Sequence, residues 1–133
     1  IVGFYKSKEQ LDWILKNNLY NFRTGTGKGS LPLSNENVSA KYLILHGSDE
    51  LITNKIFQLE TYGPKILTQN NLIKKGYPNP SGELYLVYEI KKDVSEDFQN
   101  VSIDIRNLSK FENHRNSAKP FSVTLTELLK AKN

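Results

Sequence analysis

Helix and strand signals do not alternate along this chain, and that order excludes more folds than any single motif does. Ser7-Lys-Glu-Gln10 is a capping box, Ser at the N-cap and Gln three residues on, and Leu11, Ile14 and Leu15 follow at helical spacing. This first helix ends near Asn17-Asn18. Leu19-Tyr-Asn-Phe22 alternates as a short strand, Lys41-Tyr-Leu-Ile-Leu-His46 is a largely buried one, and Lys55 to Tyr62 is another with Phe57, Leu59 and Thr61 on one face. Thr68 caps a short helix from Gln69 to Lys75, with Leu72 and Ile73 inward and Gly76 as its stop. Glu83-Leu-Tyr-Leu-Val-Tyr-Glu-Ile90 is the strongest strand of the sequence. Val101, Ile103 and Ile105 alternate as one more, Asn107 to Lys119 is a polar loop, and Thr124-Leu-Thr-Glu127 opens a terminal helix. A doubly wound parallel sheet needs strict strand–helix alternation. The order helix, strands, helix, strands, helix predicts an α+β fold instead: a strongly curved mixed sheet or small β-barrel flanked by about three helices.

At 133 residues the chain is the size of one domain and can bury around two-thirds of its unfolded surface without staples. It opens on Ile rather than Met, so residues 1–133 are expected to be a single domain of a larger protein. There is no cysteine, which excludes disulfides, zinc thiolate sites and thiol catalysis together and fits a reducing, cytoplasmic setting. No run approaches the roughly 18 apolar residues of a membrane span, so no membrane partner is expected.

A formal charge of +4 is modest; its distribution says more. From Trp13 to Asn35 there is no acid but Lys16, Arg23 and Lys28, and from Thr61 to Gly82 none against Lys65, Lys74 and Lys75. Two such windows form one positive face if the fold joins them and two unrelated surfaces if it does not. The first contains Asn21-Phe-Arg-Thr-Gly-Thr-Gly-Lys-Gly-Ser-Leu31. Its glycines Gly25, Gly27 and Gly29 expose backbone N–H groups beside Arg23 and Lys28, a composition suited to phosphate. It is not a P-loop. Phe22 stands where the first glycine belongs, Gly29 follows Lys28 where the hydroxyl belongs, and no helical periodicity comes after. A surface turn is the plain alternative.

Nucleic-acid contact needs cations and donors for phosphate and aromatic faces for bases. Tyr20 and Phe22 lead into the glycine loop as candidate stacking residues, and Arg106, Arg115 and Lys119 would extend a phosphate track. Lysine is common here, so the three arginines, Arg23, Arg106 and Arg115, stand out as forked donors. A rival is a Mg²⁺-dependent PD-(D/E)xK-like nuclease, with Glu89 as metal ligand and Lys91 orienting water at a strand end. The second acid is missing at the required spacing. His46-Gly-Ser-Asp49-Glu50 reads as a strand leaving a sheet, and Trp13 as a packing residue with its N–H at the rim.

The series Tyr42-Leu-Ile-Leu45, Ile56-Phe-Gln-Leu59, a lysine-bearing helical turn and Leu84-Tyr-Leu-Val-Tyr88 resembles the strand spacing of PUA/EVE-like barrels over about half the chain. Those barrels read RNA or modified DNA bases and are often appended to restriction or defence proteins. The expectation is therefore a non-catalytic nucleic-acid-recognition module, for DNA rather than RNA, with no cofactor and with other domains of a parent protein as partners. A scaffold domain for protein interaction is the further alternative.

Overall fold

The computed structural model describes residues 1–24, 30–111, 113–114, 117–118 and 120–133. In chain order the elements are β1 (Val2–Tyr5), α1 (Lys8–Asn17), β2 (Leu19–Thr24), β3 (Ser30–Leu31), α2 (Asn35–Val38), β4 (Tyr42–Gly47), β5 (Ile52–Thr53), β6 (Lys55–Leu59) and β7 (Lys65–Thr68). After them come α3 (Gln69–Lys74), β8 (Leu84–Asp93), β9 (Ile103–Asp104), β10 (Asn113–His114), β11 (Ser117–Ala118) and α4 (Leu125–Lys130). Six strands run in the order β1-β4-β6-β8-β2-β3 as a strongly curled half-barrel, with β7 as a seventh strand on β8. β1 on β4 and β3 on β2 are parallel, and the other pairs are antiparallel. The expected curved mixed α+β sheet is what the chain forms.

β8 organises the sheet because it is long and pairs along both edges, antiparallel throughout. One edge takes β2, from Leu19 opposite Glu89 to Arg23 opposite Tyr85. The other edge is met twice, by β6 up to Leu59 opposite Ile90 and then by β7 from Lys65 opposite Val87. Between those contacts Glu60 to Pro64 swings out, turning at Gly63, whose φ of +81° is a left-handed conformation that favours glycine.

Short polar side chains set the helix boundaries. Ser7 Oγ accepts from the Gln10 N–H at 3.2 Å, and Gln10 Oε1 takes the Lys6 N–H at 2.8 Å, one residue earlier than an ordinary capping box would. At α3 the box closes fully: Thr68 Oγ1 accepts from the Asn71 N–H, and Asn71 Oδ1 from the Thr68 N–H. Thr124 caps α4, but the Glu127 carboxylate accepts from the Ser109 hydroxyl and N–H instead of turning back to the cap.

Two cores lie on opposite faces of β4. Leu43 and Leu45 join the cluster of Trp13, Ile14, Phe57, Leu72 and the β8 aromatics. Ile44, between them, joins Val2, Ile56, Ile103, Phe121 and Leu128, the period-two alternation of a strand buried on both sides.

Several expectations need correction. Leu15 is 46% exposed and Ile73 54% exposed. On α1 the inward places go to Trp13 and Ile14, and the six residues of α3 turn only Leu72 fully inward. Thr61 lies beyond β6 on the excursion. The strand through Val101, Ile103 and Ile105 shrinks to β9, because Asp104 Oδ1 accepts from the Arg106 N–H and caps a 3₁₀ turn starting at Ile105. The polar stretch after Asn107 contains the β10–β11 pair, and β1, β7 and the single-turn α2 were not anticipated.

Candidate nucleic-acid interface

The two acid-free windows pack against each other. Trp13 donates its indole N–H to the Lys75 carbonyl at 2.9 Å, and its ring meets Tyr77 edge-on with centroids 4.8 Å apart. At the other end of the seam Gly82 lies against Arg23: a Cβ there would stand 2.8 Å from Arg23 Cδ, so the absence of a side chain lets the two approach. The segment joining α3 to β8 is fixed between these points. Gln69 Nε2 donates to the Pro80 carbonyl at 2.7 Å, and the Gly82 N–H donates to Tyr85 Oη at 2.6 Å.

Along the seam runs a cleft of about 120 Å³. Its walls are aromatic (Phe4, Tyr20, Phe22, Tyr77, Tyr85), amide (Gln10, Asn21, Asn79) and cationic (Lys6, Arg23), completed by Ser81 and Pro120, with no acid among the lining residues described. The Tyr77 hydroxyl is its polar hub. Gln10 Nε2 donates to it at 3.0 Å. Burial pushes the Tyr77 phenol above its ordinary value, against the amides of Asn21 and Gln10 and the charge of Arg23, which draw it down.

Of the residues singled out from sequence, Arg23 stands in this cleft. Tyr20 and Phe22 line it from the core and are each only 3% exposed. Their rings pack on each other at 4.6 Å, Phe22 also meets Tyr88, and the Tyr20 hydroxyl donates to the Phe4 carbonyl. Gly25, Gly27, Lys28, Gly29, Arg115 and Lys119 lie outside the described residues. Arg106 is not in the cleft. Its guanidinium forks onto Asp104 at 2.9 and 2.7 Å and borders a separate recess with Asp49, Glu50, Leu51 and Ile52.

The strand end of the rival reading is arranged differently. Glu89 Oε1 pairs with Lys65 Nζ at 3.3 Å. The Tyr62 hydroxyl, then Lys65, hold the Glu89 carboxyl below its usual range against the opposing effect of burial, and Lys91 is exposed. No group of three or more His, Cys, Asp or Glu among the described residues is placed to hold a metal ion. His46 is buried with Nδ1 2.7 Å from the Gly47 carbonyl, which fits its reading as a residue at the exit of a strand.

Sequence reasoning missed Lys6, Gln10, Asn21, Tyr77 and Tyr85. One signal was present: Asn21 is an amide between two aromatics on a strand that buries all three. Tyr77 carried none, since its place depends on the turn after α3. Among the described residues no helix is long and apolar enough to cross a membrane. Compared with known proteins, the chain matches no family model, no curated protein and no solved structure.

Proposed function

We propose that this domain is a nucleic-acid-recognition module and that the cleft between α1, β2 and the α3–β8 connection is its contact surface. The observation that carries the reading is the seam itself: two stretches of sequence without acids meet at a cleft that combines Arg23 and Lys6 with aromatic and amide groups. Cations position a phosphate backbone, and amide and aromatic groups read what hangs from it. Glycine-rich residues 25–29 begin two positions after Arg23 in sequence, and their composition suits the same ligand. The choice of DNA, and of a target-recognition role within a restriction or defence protein, rests on the resemblance to PUA/EVE-like barrels.

Fluorescence anisotropy with labelled duplex and single-stranded DNA and RNA at about 50 mM salt tests the proposal, with micromolar binding that weakens steeply as salt rises as the expected result. Absence of binding to every probe would leave a protein-interaction scaffold as the better account.

A further inference from the structure

The cleft is small for the charge it carries. Its volume of about 120 Å³ equals on the order of four waters at about 30 Å³ each, room for a group of a few heavy atoms and not for a whole nucleotide. The polar lining side chains that reach solvent are the exposed Lys6, Asn79 and Ser81 and the half-buried Gln10, Arg23 and Tyr77. All six can donate hydrogen bonds, and two carry a full positive charge. The Tyr77 oxygen accepts from Gln10 Nε2 at 3.0 Å and keeps its own O–H hydrogen to give. This wall is set before any ligand arrives: Asn79, at φ +50°, stands between Pro78 and Pro80, and the Pro80 carbonyl is tied to Gln69. What complements such a set is a compact anion rich in acceptors.

We infer that the cleft is a subsite for a phosphate monoester, and that on a nucleic-acid strand its occupant is the terminal phosphate. The inference rests on the nucleic-acid reading above and goes further by naming the part of the strand that enters. An internal phosphodiester carries a single charge and has an ester arm on each side. A monoester carries about −1.5 to −2 at pH 7 and presents three strong acceptor oxygens on one arm. Two cations lining one small cleft match the monoester in charge, with Arg23 able to fork across two oxygens and Lys6 acting as a point charge. Phe4, Tyr20, Phe22 and Tyr85 close the cleft from the core side, and the low dielectric they supply strengthens both attractions.

Internally labelled single-stranded oligomers of one sequence, carrying a phosphate at the 5′ end, at the 3′ end or at neither, are compared by anisotropy on the full chain. The wild-type chain is expected to bind one of the phosphorylated forms about tenfold more tightly than the hydroxyl form, the scale of a charge-assisted hydrogen bond. Lys6 is exposed, so Lys6→Gln should fold as the wild type does and lose most of that preference. Lys92→Gln, an equal loss of charge at an exposed position outside the cleft, should keep it. Equal wild-type binding of all three oligomers, or a preference that survives Lys6→Gln, would overturn the inference and leave the nucleic-acid reading standing. Methyl phosphate, titrated by calorimetry, forms a second arm. If it binds and no oligomer does, the subsite holds for a free phosphate monoester and the nucleic-acid reading fails; if nothing binds, both fail. The comparison of strand ends needs no substitution, so it stands whatever the variants do.

Discussion

The indole N–H of Trp13 on α1 and the carbonyl of Lys75 at the end of α3 form a 2.9 Å hydrogen bond between the two acid-free windows. The same ring holds Tyr77 edge-on, so one side chain sets both the spacing of the windows and the position of the cleft's polar hub.

Trp13→Phe keeps an aromatic ring but leaves the Lys75 carbonyl without its donor. The expected loss is about 1–3 kcal/mol of unfolding free energy in urea denaturation, with weaker nucleic-acid binding in what remains folded. Unchanged stability would show that water replaces the indole at no cost.

Arg23→Ala should weaken binding to all sequences alike and reduce the salt slope by about one, as the loss of a single phosphate contact does. Arg106→Ala is the control. Its fork is occupied by Asp104, so the slope should stay where it is. The reverse result would move the interface to the recess bordered by Asp49 and Glu50.

Gly82→Val puts a side chain where Arg23 now lies. The arginine stem can yield, so Tm should fall little while affinity drops by several-fold, read by anisotropy beside a thermal melt. An affinity unaffected by this change would separate the Arg23 position from binding.

His46 gives the domain a pH dependence. Burial lowers its pKa from the ordinary 6.5, while hydrogen bonding to Gly47 and Glu50 carbonyls works the other way. The unfolded chain then binds the proton more readily than the native one, so stability is full above about pH 6.5 and declines as pH falls towards the folded value. Melts between pH 7.5 and 5.5 should show Tm falling, with a shallower slope in His46→Gln. NMR titration of the imidazole reads the shift directly.

The parts legible in the sequence were those fixed by neighbours along the chain. Ser7, Thr68 and Thr124 cap helices because the donors they satisfy are three residues away. The β4 and β8 runs are apolar enough to be strands in any fold. What escaped depended on distant partners. β1 is a strand because Val2 lies parallel to Ile44, and β7 because β8 offers a free edge beyond β6. The cleft was half visible: Arg23 and the windows are features of composition, but the distance from Trp13 to Lys75 is a property of the packing. Arg106 forks onto Asp104 two residues before it, a pairing that depends on the 3₁₀ turn and not on composition.

The pairing of β2 with β8 also sets when the cleft can exist. Asn21 lies opposite Val87, and Tyr77 meets Gln10 across 67 residues of sequence. A ribosome must release the chain as far as Val87 before both walls have their counterparts. Partial chains therefore carry Arg23 and Asn21 without a cleft around them, and contacts so far apart in sequence slow folding. The cleft and the pairing of β2 with β8 are acquired in the same event, so a protease cut in the turn between α3 and β8 would disturb both together.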